Sequence, residues 1–485
     1  MKYSARLTAL FLLAAILTVN GCGGQPADTA DTTDTTAAAE TTSGYEFGGT
    51  VFEPYDFGGR TFRFIVRGDG HNEFRCIDMY AENTNGDLIN DAIFERNAAV
   101  CEKFNLEIQE IRTDEYPSEV ASRSIMASSD DYDVVYDNLQ RLADLSMDGL
   151  LMDLYTVDGF EFDKPYWDEA INAQLTLKKK LYYTTGEHML AVKNGLYGVF
   201  FNKDFVEKYK LEDPYKLVAD NKWTIDKMYQ MAQGIAEDLN GDQKMDPNDQ
   251  WGIVTESYNT YTFLIGSGNA ICRKDENDLP YLSLNTESTA AVLELAATIL
   301  NDKQTTIMTS NYSEAAMKTA VWEVFDTGRS LFCEGALMNT PKLRSYDLDF
   351  GILPSPLYDE NQKEYYHTIS VYNASLMSIP STVKEADEVG RMVNILAAAS
   401  CDTLRPAYYD IQLVNKLIRD TDSEGMLDII FSTITFDLGA VYDFGGMYYA
   451  VIDVGKGKAS YASKYASCEK PAINAINKLI DELND

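Results

Sequence analysis

The chain has 485 residues, 45% of them hydrophobic, and a formal net charge of −35. That length exceeds what one hydrophobic core supports and calls for two lobes or domains. The charge excludes nucleic acid and anionic headgroups as partners, and seven cysteines without a Cys-x-x-Cys spacing exclude a zinc ribbon.

Lys2 and Arg6 open the chain, and Leu7–Val19 is an apolar run of thirteen residues. Such a run is too short to span a bilayer comfortably and has the length of a signal-peptide core. It ends in Val19-Asn20-Gly21-Cys22. A small residue before a cysteine at this place resembles the lipobox of bacterial lipoproteins. That resemblance implies cleavage after residue 21 and acyl chains on Cys22; the alternative is an ordinary secretory signal. Residues 22–44 then form a lipidated tether. Gln25–Gly44 carries no large apolar side chain, so it is expected to stay disordered and to reach on the order of 25 Å. No second apolar run of eighteen residues follows. The six remaining cysteines (Cys76, Cys101, Cys272, Cys333, Cys401 and Cys468) are scattered and read as free thiols, with an extracellular disulfide or two as the alternative.

Along the body, Arg60–Gly68 places Phe62, Phe64 and Val66 on one face of a strand. Asp87–Asn105 carries a helical stripe of Ile89, Ile93, Val100 and Phe104. A strand at Leu106–Ile111, a helix at Ser118–Ala127 and a buried strand at Tyr132–Asn138 follow. Strand and helix in alternation predict a parallel sheet. Asn194–Tyr209 is a strand running into a helix. Thr224 caps the next helix, with Trp223 just outside it, and that helix is predicted to run into "DLNGDQKMDPND", Asp238–Asp249.

This loop sets Asp238, Asn240, Asp242, Lys244 (through its carbonyl), Asp246 and Asp249 at the ligand positions of a twelve-residue calcium loop. An oxygen-only set suits Ca2+ in a structural role. Gln243 stands at the sixth position, where glycine is usual, and Asp249 at the twelfth, where a bidentate Glu is usual. Magnesium with water, or a plain acidic surface loop, are the alternatives. Trp251–Val254 after the loop is a strand, so this is not a paired-helix calcium sensor. Further strands are read at "GRSLFCEGALM", "DFGILPSPLYDE" and "ASLMSIPST", and helices at "KEADEVGRMVNILAAAS", Gly425–Phe431 and "KPAINAINKLIDEL".

Five of these stretches, in order, carry a resemblance: "YGVFFNKDFVEKYKLEDP", "NKWTIDKM", "FDTGRSLFCEG", "DFGILPSPLYDE" and "LRPAYYDIQL" with "MLDIIFSTITFDLG". The sequence resembles the extracellular solute-binding proteins, family 1, carbohydrate type, that serve ABC importers. The resemblance implies a two-lobed, periplasmic-binding-protein-like (type II) α/β fold with a cleft between the lobes. On that basis residues 45–194 begin lobe 1, 195–368 form lobe 2, 369–400 return to lobe 1, and 401–485 add helices mainly to lobe 2 and the hinge. It also implies a carbohydrate ligand and ABC permease subunits as partners, membrane attachment through Cys22, no nucleic acid, a monomer and no catalysis. Related proteins carry a similar Asp-x-Asn-x-Asp loop.

Ligands of open parallel sheets bind outside the carboxyl ends of the strands, so the residues after each strand are the site candidates. They are Asp69 and Asn72, then Asp137, Asn138, Gln140 and Arg141, then Glu256, Tyr258 and Tyr261, then Asn339, and, near the C-terminus, Phe444 and Tyr448. Carboxylates, amides and guanidinium groups bind sugar hydroxyls, and aromatic faces cover C–H surface. The set at 137–141 reads equally as a helix cap and solvated loop, and the tyrosines and Phe444 as core. Trp223 and Trp322 read as core, while Trp167 is either packing or a cleft platform. His71 reads as surface. A secreted carbohydrate hydrolase is the competing function; it needs two placed carboxylates, which 76 acidic residues supply by chance. A surface adhesin or sensor is the third.

Overall fold

Stretches rich in Val, Ile, Phe and Tyr assemble into two separate sheets flanked by helices. The computed structural model describes residues 44–343, 345–409 and 421–484. Cys22, the signal segment and the tether ahead of residue 44 lie outside them.

The first strands are β1 (Arg60–Arg67), β2 (Leu106–Thr113) and β3 (Val134–Asn138). They are followed by β4 (Tyr197–Asn202), β5 (Trp251–Thr255), β6 (Thr306–Met308), β7 (Ser330–Ala336) and β8 (Phe350–Leu353). A late strand, β9 (Ser375–Ser378), completes the set. One sheet has the order β9-β3-β1-β2 and the other β6-β5-β7-β4-β8. In the first, β1 runs parallel to β2 and β3, and β9 is antiparallel to β3. In the second, β5 is parallel to β6 and β7, whereas β4 is antiparallel to β7 and β8. The fold is thus two mixed α/β lobes, each with a parallel centre and antiparallel strands at one side. β3, β5 and β7 are buried along their whole length, the state of central strands covered by helices on both faces.

Local signals set the helices. Asp87 accepts hydrogen bonds from Ile89 N and Asn90 N and starts Leu88–Phe104, whose Ile89, Ile93, Val100 and Phe104 are buried. Thr224 caps Ile225–Ala232 by accepting from Lys227 N. Trp223 beside it is fully buried and donates from Nε1 to Pro354 O at 2.9 Å. This helix does not run into the acidic loop as predicted: it stops at Ala232, and Gly234 turns the chain with φ +75°. Glu237 then pairs with Gln250 through two hydrogen bonds of 3.0 Å, so the loop is closed by a strand-like bridge.

The chain passes between the sheets at Leu196, which bridges antiparallel to Ile369 on the returning segment. His367 fastens a third segment there: its N–H donates to Thr433 O, and Thr435 N donates to its carbonyl. Ser355 N donates to His367 Nε2 at 2.9 Å, so Nδ1 carries the proton shared with Thr433 Oγ1 at 2.7 Å. Burial lowers the His367 pKa to about 3, which keeps the ring neutral. A hairpin of Tyr45–Phe47 and Thr50–Phe52 lies against the helix Ala386–Asp402, with Gly48 N donating to Asp402 Oδ2 at 2.7 Å. All six described cysteines are unpaired. Among the described residues no helix is long and apolar enough to cross a membrane.

Candidate functional site

A cleft of about 690 Å³ opens at the ends of β4, β5 and β7, facing Glu73 and Phe74 of the other lobe. Its size falls among small-molecule sites, about 300–1,000 Å³. The strand order makes it. β4 is antiparallel to β7, so its first residue, Tyr197, sits opposite Ala336, the last of β7. Tyr197 and Tyr258 place their rings 4.8 Å apart. Tyr197 Oη donates to Glu256 Oε1 at 3.3 Å, and Tyr258 Oη to the crossover carbonyl Ile369 O at 2.9 Å. Asn259 holds Glu256 in place by accepting from its N–H at 3.1 Å. Burial raises the Glu256 carboxyl pKa. Behind it, Glu334 of β7 accepts from Thr255 Oγ1 at 3.2 Å. Burial, and next the negative charge of Glu256, push Glu334 up to about 8.

The opposite wall comes from the helix Ala315–Asp326, where Trp322 and Asp326 are one turn apart on the cleft face. Lys342 Nζ stands 2.7 Å from the Asp326 carboxylate. Tyr372 and Asn373 on the returning crossover close the far side. The Tyr372 hydroxyl bonds that of Tyr449, and Tyr372 O accepts from Arg67 Nη2 at 3.1 Å.

Of the residues predicted to touch ligand, Glu256, Tyr258 and Asn339 line this cleft together. Tyr261 and Tyr448 do not: both are buried and pack edge to face at 5.1 Å behind Tyr258. Phe444 is buried and stacks on Tyr442. Asp137 is spent inside lobe 1, pairing with Arg67 at 3.0 Å and accepting from Ser118 N and Oγ. Asn138 is the cap of Leu139–Met147, accepting from Arg141 N. Gln140 is half-buried and does not line the cleft. Arg141 points away, lying over the Tyr116 ring at 3.4 Å and pairing with Glu119. Asp69 and Asn72 are exposed, with Asp69 facing Arg112 and Arg75. Their short turn Asp69–Phe74 nevertheless delivers Glu73 and Phe74 to the cleft.

Reading only the residues after strands misses Tyr197, which begins an antiparallel strand, and Tyr372, which lies on a crossover. Trp322 packs against the edge of the core and, half-buried, also forms cleft wall, and its four-residue spacing from Asp326 puts both on one helix face. Trp167 is buried, with Nε1 donating to Asn394 Oδ1. His71 stays outside, its Nε2 beside Glu115 O.

In the acidic loop, Asp238 accepts from Gly241 N and Gln243 N, Asn240 from Asp242 N, and Asp242 from Lys244 N. Asp249 is fully buried and accepts from Leu239 N and Asp246 N, closing the ring. Gln243 takes φ +65°, the left-handed conformation that glycine would adopt more cheaply. Arg329, just ahead of β7, donates to Pro247 O and Asp249 O. The donor types suit a hard cation, but the side chains are turned to their own main chain, Lys244 contributing its amide. Among the described residues no three Asp, Glu, His or Cys side chains converge as a metal group.

The model of the bacterial extracellular solute-binding protein family matches residues 93–399, well over half the chain. The chain belongs to that family. This solute-binding protein is therefore a binding protein and not an enzyme, and it has the family's two-lobed fold. No curated protein matches it in sequence. Similar solved structures include the GacH receptor of Streptomyces glaucescens (13% identity, 88% of this chain and 99% of that one, TM-score 0.52). A cyclo/maltodextrin-binding protein complexed with maltotetraose is similar at 14% identity (87% and 96%, TM-score 0.56). The maltose/maltodextrin-binding domain MalE from Bdellovibrio bacteriovorus, bound to maltotriose, matches at 14% identity (88% and 100%, TM-score 0.52).

Proposed function

We propose that this solute-binding protein captures a sugar or oligosaccharide in the cleft and delivers it to the permease of an ABC importer. One observation carries the reading: the aromatic faces of Phe74, Tyr197, Tyr258 and Trp322 stand with the Glu256 carboxylate and the Asn339 amide around a single space. Aromatic faces bind the C–H surface of a pyranose, and carboxylates and amides bind its hydroxyls. The similar structures holding acarbose, maltotetraose and maltotriose support the same ligand class. A thermal-shift screen of neutral oligosaccharides tests it. A raised melting temperature with the sugar recovered intact is expected; released product, or no response to any glycan, sinks it.

The protein works as a monomer at the outer face of the membrane, held by lipid on Cys22. Cys22→Ser should shift it from the membrane to the medium without changing ligand affinity. Calcium acts as a structural clip on the Asp238–Asp249 loop, which rests on the spacing of its oxygen donors and the left-handed Gln243. Chelation should then lower the melting temperature with or without sugar, and an unchanged melt counts against the clip.

A further inference from the structure

One end of the cleft continues into a small chamber of about 50 Å³. The two spaces share Glu73, Phe74, Met338 and Asn373 in their walls. One water needs about 10–15 Å³ of such space, so the chamber admits a few water-sized groups and is too small for a sugar ring.

The polar wall of this chamber is unevenly satisfied. Arg67 is paired with Asp137 and with Tyr372 O. Asp78 is buried and accepts from Leu190 N at 2.6 Å and from Cys76 Sγ at 3.2 Å. Arg96 behind them donates to Asp78 O and Met79 O. Tyr136 is the exception. It is 2% exposed, and its hydroxyl has no hydrogen-bond partner among the described residues. A buried hydroxyl without a partner is unfavourable, so a polar group entering the chamber gains a hydrogen bond that the empty protein lacks. Asn194 stands at the same wall with its carboxamide oxygen taken by Tyr408 Oη at 2.8 Å, which leaves its NH2 to donate.

We propose that the chamber is an end subsite that takes one exocyclic hydroxymethyl group of a hexose, hydrogen-bonded by Tyr136 Oη. The inference rests on the sugar-binding reading above. It makes the cleft selective for hexose over pentose chains, because a pentose of the same ring geometry has nothing to place there.

The test compares maltotriose, cellotriose and mannotriose with xylotriose by calorimetry, on the full chain and on Tyr136→Phe. At least one hexose trisaccharide is expected to bind more tightly than xylotriose. Tyr136→Phe should weaken that hexose about three- to tenfold, leave xylotriose within twofold, and not lower the melting temperature of the sugar-free protein. Equal loss for both sugar types, or no loss for the hexose, overturns the subsite while sugar binding stands. If none of the four sugars binds, the subsite falls, while the sugar reading is decided by the wider oligosaccharide screen. A crystal structure of the unsubstituted protein with the bound hexose gives a second readout, independent of how the variant folds. An exocyclic oxygen within hydrogen-bond distance of Tyr136 Oη is expected, and a chamber still filled by water overturns the proposal.

Discussion

Replacing Glu334 by Gln tests the electrostatics under the cleft. Glu334 is buried in β7 and titrates at about 8 instead of its ordinary 4.5, first because burial penalises its charge. Its folded pKa is raised, so the folded protein holds a proton that the unfolded chain releases. The stability this contributes is complete below about pH 4.5 and is lost as pH rises towards 8. At about 1.4 kcal/mol per pH unit, the loss across that window is about 5 kcal/mol at most. The protein interior responds with an effective dielectric well above that of a dry medium, and coupling to Glu256 spreads the titration over both groups, so about half of that is the expected size. Glu334→Gln keeps the shape and the contact to Thr255 Oγ1 but has no charge to bury. Urea unfolding at pH 5 and pH 8 is the assay. The two proteins should differ little at pH 5, and the variant should be the more stable by about 2 kcal/mol at pH 8. A gap that does not widen with pH refutes the argument.

Trp322→Ala should weaken sugar binding about tenfold or more, measured by calorimetry, with a nearly unchanged melt because the side chain is only half-buried. Arg67→Met leaves the buried Asp137 charge unpaired and should cost about 3–5 kcal/mol in chemical denaturation; the double variant with Asp137→Leu should recover much of it. His188 and His367 are both buried and held near pKa 3. Their folded pKa values are depressed, so the stability they contribute is present above about pH 6.5 and is lost as pH falls towards 3. His367→Gln, which has no such proton to take up, should shallow that acid limb in a pH series of thermal melts.

The two sheets were legible because their strands are short apolar runs between helices with readable caps, Asp87 and Thr224 among them. The cleft was partly legible. β5 and β7 are parallel, so the residues after them, Glu256, Tyr258 and Asn339, do stand at its wall. The same rule fails at β3, where Arg67 lies seventy positions away in sequence yet bonds Asp137 directly. A pairing at that separation leaves no local trace, and it turns a plausible sugar contact into a core ion pair. Tyr197 and Tyr372 were invisible for a topological reason: one begins an antiparallel strand and the other lies between lobes. The helix before the acidic loop ends early where Gln233 turns extended and Gly234 takes a left-handed turn, inside an otherwise regular helical pattern.

The placement of the tryptophans gives the protein a built-in optical reporter. The chain has four, and Trp167, Trp223 and Trp251 are at most 5% exposed. Trp322 alone is half-buried and faces the cleft. A ring seated against it strips water from one indole and leaves the other three in unchanged surroundings. Ligand titrations can therefore be followed by unlabelled emission, with Trp322→Phe as the silent control, and the size and direction of the spectral shift will distinguish occupancy of this wall from binding elsewhere on the protein.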